Sequence, residues 1–314
     1  MRFAAFSAAV AVLALVQGCA PAVDQAKADK TAADKAEYPR PELLLEPSLL
    51  ARPEIAKQFV VLDARARKAF DEKRVPAARW VDAPAWAKAF GSGKDAQAWG
   101  RRIGELGIDR DSKVVVYDGS SSKDAARIWW ILRYWGATDA RLLNGGWTGW
   151  TAARLPVEGG KPQTPAPRAF QAAPQSKRLA TKGQLLASLN DKTLQIVDAR
   201  SEAEFCGTDR QANKRAGAIP GARHLEWIDL LDKDTQRFKS ADQLRRLFRQ
   251  AGIELQRPTA THCQSGGRAA VMAFAMELMG APSVSNYYAS WGEWGNADDT
   301  PIVAAPCGAT PTTR

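Results

Sequence analysis

The run Ala260-Thr261-His262-Cys263-Gln264-Ser265-Gly266-Gly267-Arg268 puts a thiol where a short strand-like stretch gives way to two glycines and an arginine. A strand end, a glycine loop and then a helix N-terminus turn backbone N–H groups inward and form a cradle for an anion. Such surroundings convert a thiol into a thiolate. A free cysteine has a pKa of about 8.5, so holding one ionised at neutral pH takes about 3–4 kcal/mol. A helix dipole supplies only ~0.3–1 kcal/mol, at best ~2. The remainder falls to converging N–H groups of Gln264, Ser265, Gly266 and Gly267, and to Arg268. Cys263 and Arg268 are therefore the expected catalytic pair, with the sulfur open to solvent. The plain alternative is a small buried cysteine at a strand end. The glycines and the arginine that follow weigh against it.

These residues need elements to hold them, and the chain supplies each element twice. Phe59-Val60-Val61-Leu62-Asp63-Ala64-Arg65 and Leu194-Gln195-Ile196-Val197-Asp198-Ala199-Arg200 both read as buried strands ending in Asp-Ala-Arg. Lys113 to Asp118 parallels Thr259 to Cys263. Apolar helical stretches follow, from Ala125 to Trp135 and from Ala269 to Met279, each with a glycine just beyond, as suits a C-cap. Gly136 and Gly280 are 144 residues apart, and so are Trp147 and Trp291, whereas Asp118 and Cys263 are 145 apart. Two copies of one domain explain this agreement, with one more residue in the first loop.

Strands alternate with helices in each copy, which predicts an α/β fold: two tandem domains, each a mostly parallel sheet covered by helices on both faces. Ligands of such sheets bind beyond the strands' C-terminal ends, where Asp198, Arg200 and Cys263 all fall. Arg200 and the loop Gln264–Gly267 are the candidate substrate-binding residues. Asp198 is a supporting residue that orients Arg200 or the loop by hydrogen bonds, or caps the next helix. Trp291 is the tryptophan expected to line the pocket. His262 points away from the nucleophile if the strand alternates, so a packing role is expected; the same is assumed for His224. No cluster has the spacing of a metal site, so neither metal nor organic cofactor is expected.

The whole chain has 314 residues, 45% hydrophobic and 25% charged, with net charge +10 and eleven tryptophans. This is globular composition with room for two domains. The basic residues are scattered and form no recognisable nucleic-acid module, so no nucleic-acid partner is expected. Arg2 followed by the apolar stretch Ala4 to Val16 has the pattern of a signal peptide, too short for the ~20 residues of a membrane-spanning helix. Val16-Gln17-Gly18-Cys19 resembles the lipid-attachment site of a bacterial lipoprotein, although Gln17 departs from the usual small residue. With Ala20 next, that resemblance implies lipidation of Cys19 and a periplasmic protein anchored in the outer membrane.

The expected organisation is a signal peptide at 1–18, a flexible tether at 19–40, a first domain at 41–158, a Pro-rich linker at 159–177, a second domain at 178–300 and a tail at 301–314. If Cys19 carries lipid and Cys263 works as a free thiol, counting leaves Cys206 and Cys307 as a possible disulfide. A Cys206–Cys263 bridge is the competitor, and it would close the site reversibly. An internal duplication stands in for a dimer, so a monomer is expected.

The repeated Asp-Ala-Arg, Gly217-Ala218-Ile219-Pro220-Gly221-Ala222, the Cys263 loop and the Trp291/Trp294 pair occur in an order that resembles two-domain rhodaneses, the thiosulfate and 3-mercaptopyruvate sulfurtransferases. The likeness runs from about Pro41 to Thr300. It implies that the first copy, with Asp118 in place of the cysteine, is catalytically silent. It also implies that Cys263 takes sulfur as a persulfide from thiosulfate and passes it to cyanide or a thiol. Ala218 replaces a histidine frequent in the family. The active loop matches neither the basic loop of thiosulfate-specific members nor the Gly-Ser-Gly-Val-Thr loop of mercaptopyruvate-specific ones; it is closer to that of single-domain rhodaneses. Mercaptopyruvate transfer and a non-turnover persulfide carrier remain alternatives. So does a cysteine phosphatase or arsenate reductase, whose loop carries five residues between Cys and Arg where this chain has four.

Overall fold

The structure is a computed structural model and describes Met1, residues 37–119 and residues 121–304. The first half contains β1 (Leu44–Leu45), β2 (Phe59–Asp63), α1 (Arg67–Glu72), β3 (Arg79–Trp80), α2 (Ala83–Ser92), α3 (Ala96–Gly104), β4 (Lys113–Tyr117), α4 (Lys123–Tyr134), β5 (Asp139–Leu143) and α5 (Gly146–Ala152). The second contains α6 (Lys182–Asp191), β6 (Gln195–Asp198), α7 (Glu202–Phe205), β7 (Arg223–His224), α8 (Ala241–Gln250), β8 (Thr259–His262), α9 (Gly267–Leu278), β9 (Val284–Asn286) and α10 (Ser290–Trp294). Strand orders are β1-β5-β4-β2-β3 and β7-β6-β8-β9. All these pairings are parallel.

Both sheets are buried on two faces, so their central strands are apolar in sequence and divide their side chains between two cores. Val114 and Val116 face one apolar cluster, whereas Val115 and Tyr117 face another. The first of these clusters runs without a break from Val116 in one half to Val271 and Phe274 in the other. The duplicated helices α4 and α9 form its centre, where Trp129 meets Phe274 edge-on at 4.9 Å. Both helices end alike. Gly136 and Gly280 adopt φ of 97° and 85°, and Ala137 and Ala281 donate back to Leu132 and Met276 at 3.0 and 2.9 Å. This is the Schellman closure, which needs a left-handed residue.

Two expected boundaries move. The tether was expected to reach residue 40, yet Tyr38 donates to the carbonyls of Phe238 and Lys239, and Arg40 N–H bonds Leu278 O. At the other end, Val303 exchanges two backbone hydrogen bonds with Ala218, so the tail is docked at least to that point. The Pro-rich segment carries no helix or strand from residue 162 to 175. It lies along α3, where a side chain at Gly100 or Gly104 would run into the carbonyls of Phe170 and Arg168.

Candidate active site

β8 lies between β6 and β9, and its last residue delivers Cys263 to the C-terminal edge of the second sheet. The loop's carbonyls are tied outward. Cys263 O accepts from Trp291 N–H at 2.9 Å and Gln264 O from Gly292 N–H at 3.0 Å. Gly266 O accepts from Asn286 Nδ2 at 2.9 Å. Cys263 N–H donates to Ser290 Oγ at 3.1 Å, and that hydroxyl donates on to Tyr287 O. Gly266 sits in the left-handed region at φ 82° and starts α9. With the carbonyls engaged outside, the six backbone N–H groups from Gln264 to Ala269 have no acceptor among the described residues. Unclaimed amides in such a nest are an anion site.

The first half shows what such a nest holds. Asp118 occupies the place of Cys263, and its carboxylate accepts from the N–H groups of Ser122, Asp124 and Ala125 at 3.2, 3.0 and 3.1 Å. At the 144-residue offset the last two correspond to Arg268 and Ala269. The first loop is thus filled by its own carboxyl group, and the Cys263 loop is not. Burial pushes Asp118 up to about 7, against the pull of these N–H groups.

Cys263 is a free thiol, so it is not bridged to Cys206. It is also buried, at 2% exposure, contrary to the expectation of a sulfur open to solvent. Cys206 is disulfide-bonded, while Cys19 and Cys307 lie outside the described residues.

Three other expectations are corrected. Arg200, expected to bind substrate, is turned into the fold. It is 1% exposed, bonded to Asp198 at 2.6 Å and Gly217 O at 2.8 Å, and stacked over Trp291 at 4.1 Å. The first half repeats this unit, with Arg65 2.6 Å from Asp63 and 4.1 Å over Trp147. A motif shared by a copy without a thiol holds the fold together. Asp198 orients Arg200, as expected. Trp291, at 1% exposure, packs under the Arg200 guanidinium and donates its indole N–H to Arg215 O at 3.1 Å instead of lining a pocket. Gln264 turns its amide onto Asn213 in a reciprocal pair, at 2.9 and 3.1 Å, so only its backbone faces the nest.

Arg268 does lie at the loop, but it is paired with Glu204 at 2.5 and 2.8 Å. Burial opposes the Arg268 charge, yet the Glu204 hydrogen bond and the nearby Cys263 hold its pKa above the ordinary range. Glu204 is in turn locked by a capping box with Ser201 at the start of α7. His262 is buried and depressed to about 4, because burial outweighs the attraction of Asp198. It is neutral at pH 7 and excluded as a charged partner for the thiol. His224 bonds the carbonyl of Arg200 at 2.9 Å.

Sequence reasoning missed Glu204, Asn213, Ser290, Tyr288 and Arg127. The Ser201-x-x-Glu204 spacing was a readable capping signal. An arginine beside Ile128-Trp129-Trp130 on an apolar helix was the only hint of Arg127.

Comparison with known proteins places the geometry among relatives. The model of the Rhodanese-like domain matches residues 46–153 and again 181–297. Thiosulfate sulfurtransferase of Mus musculus is 34% identical over 239 residues, covering 73% of this chain and 80% of that protein. 3-Mercaptopyruvate sulfurtransferase of Escherichia coli K12 is 32% identical over 200 residues, covering 63% and 70%. Among solved structures, SseA of Escherichia coli, a 3-mercaptopyruvate sulfotransferase with the rhodanese fold, superposes with a TM-score of 0.71 at 26% identity, over 80% of this chain and 99% of that one.

Proposed function

This chain belongs to the rhodanese family, and from that premise we propose that it is a sulfurtransferase that uses thiosulfate, or a related sulfane donor, through a Cys263 persulfide. The observation that carries the reading is the run of unclaimed N–H groups directly after a free thiol, set against the corresponding loop of the other half, whose N–H groups donate to Asp118. The thiolate attacks the outer sulfur of thiosulfate. The S–S bond breaks, sulfite leaves with the electron pair, and a persulfide remains. The amides from Gln264 to Ala269 stabilise its charge. Cyanide or a thiolate then attacks the terminal sulfur, yielding thiocyanate or an acceptor persulfide and regenerating the Cys263 thiolate.

Glu204 argues against the phosphatase alternative. It occupies both Nη atoms of Arg268, the guanidinium that a phosphate would need. The mouse and bacterial relatives support thiosulfate and mercaptopyruvate about equally as donors, and kcat/KM for each, with cyanide as acceptor, decides between them. The direct test is mass spectrometry after exposure to thiosulfate. The Cys263 peptide gains one sulfur, about 32 Da, and Cys263→Ser gains none and turns over no substrate. A Cys263→Ser protein that still makes thiocyanate overturns the mechanism. Steady turnover beyond one equivalent separates an enzyme from a carrier.

Lipidation of Cys19, with periplasmic and outer-membrane placement, is part of the same proposal. Labelled palmitate should enter the wild type and not Cys19→Ser. The disulfide of Cys206 is assigned to Cys307, so mapping of non-reduced peptides should recover those two joined.

A further inference from the structure

Three guanidinium groups stand near the catalytic loop. Two are neutralised within their own half, Arg200 by Asp198 and Arg268 by Glu204. The third comes from the other half. Arg127, on α4, donates Nη1 to Ser265 O at 2.7 Å and to Tyr288 Oη at 2.9 Å. Its Nε and Nη2 have no hydrogen-bond acceptor and it forms no ion pair among the described residues, while its Cζ lies 5.5 Å over the Tyr288 ring. A Cβ at Gly267 would lie 2.4 Å from Nη2 and 2.9 Å from Cζ. The guanidinium therefore rests against the first residue of α9, next to the loop whose amides are unclaimed. Gly267 is a glycine because that space is taken, as Gly266 leaves room for the Tyr288 ring.

We propose that Arg127, supplied by the half that lacks a thiol, receives the anionic oxygens of the sulfur donor and sets the preference for anionic over neutral reagents at Cys263. Two anchoring hydrogen bonds fix the plane of the guanidinium, leaving Nε–H and an Nη2–H to meet a sulfonate or carboxylate side by side. The silent half thus contributes a substrate-binding group as well as a wall. This assignment rests on Cys263 being the sulfur-carrying nucleophile.

The test compares alkylation of Cys263 by iodoacetate, an anion, with that by neutral iodoacetamide, and measures thiosulfate kinetics on the same full-length proteins. Arg127→Gln is expected to lower the iodoacetate-to-iodoacetamide rate ratio about tenfold and to raise KM for thiosulfate about tenfold, with kcat changed less than about twofold. Arg127→Lys should recover most of the alkylation ratio through its charge. Gly267→Ala, which pushes the guanidinium aside while keeping it in the chain, should reproduce the loss and covers the case in which Arg127→Gln does not fold. Mercaptopyruvate in place of thiosulfate shows whether a carboxylate is received equally.

An unchanged ratio, or equal slowing by both reagents, overturns the proposal by showing that Arg127 only braces the loop. Should wild-type Cys263 form no persulfide at all, the sulfurtransferase reading fails, whatever the alkylation ratio.

Discussion

Glu204 is 3% exposed, and its negative charge is offset by one partner, Arg268. Removing one member of a buried pair strands the other, at a cost of about 3–5 kcal/mol. Arg268→Ala should therefore lower unfolding free energy in urea by that amount, and the double variant Arg268→Met/Glu204→Met by clearly less. Burial alone would raise the Glu204 pKa, but the Arg268 hydrogen bond holds it below the ordinary value of 4.5. A depressed carboxylate contributes stability that is present above its unfolded pKa and is lost as pH falls through the folded one. Wild-type stability should drop below about pH 4.5 more steeply than that of Glu204→Gln. Arg200 behaves like its silent twin. Arg200→Ala and Arg65→Ala should each cost about 3–5 kcal/mol by stranding Asp198 or Asp63. A much larger fall in kcat/KM than in folded fraction for Arg200→Ala would return Arg200 to the substrate. The thiol loop was legible from residue types because Cys, Gly-Gly and Arg lie within six positions of one another. The pairing of Glu204 with Arg268 and the reach of Arg127 to the loop were not, since those partners are 64 and 138 residues away.

The repeat was legible at the scale of elements because backbone demands repeat with it. A left-handed C′ glycine is needed after each of α4 and α9, so Gly136 and Gly280 sit at the same offset as the helices. The two-residue strands β1, β3 and β7 left no trace in the sequence, being too short for any period. The loops before α4 and α9 differ in what fills them, and this has a measurable consequence. Asp118 has a folded pKa raised to about 7, chiefly by burial. The unfolded carboxyl loses its proton near 3.8, so the folded state binds that proton more tightly, and stability contributed at this site declines as pH rises from about 4 to 7. Wild-type protein should lose unfolding free energy over that window relative to Asp118→Asn. A flat difference between the two would show that the amides keep Asp118 ionised throughout.

α9 shows how far the two halves depend on each other as a molecule. Of its twelve residues only Arg268 escapes burial, although a helix on the face of one sheet needs an apolar stripe on one side alone. The opposite side of α9 is covered by α4, through Trp129 and its neighbours. Glu277 at the end of α9 is gripped by Arg178 at 2.8 and 3.1 Å, with Arg40 from the first half 3.9 Å away. A continuous apolar interface of this kind couples domains that would otherwise unfold separately. Calorimetry on the intact chain should therefore show one transition. Trp129→Ala, which empties the seam, should cost about 3–5 kcal/mol and lower the temperature at which sulfur transfer is lost by the same shift as the melting temperature. Separate melting of the halves, with transfer surviving loss of the first, would mean that the silent half is dispensable. That outcome conflicts with a loop whose unpaired cation and α9 whose second apolar side both come from across the seam.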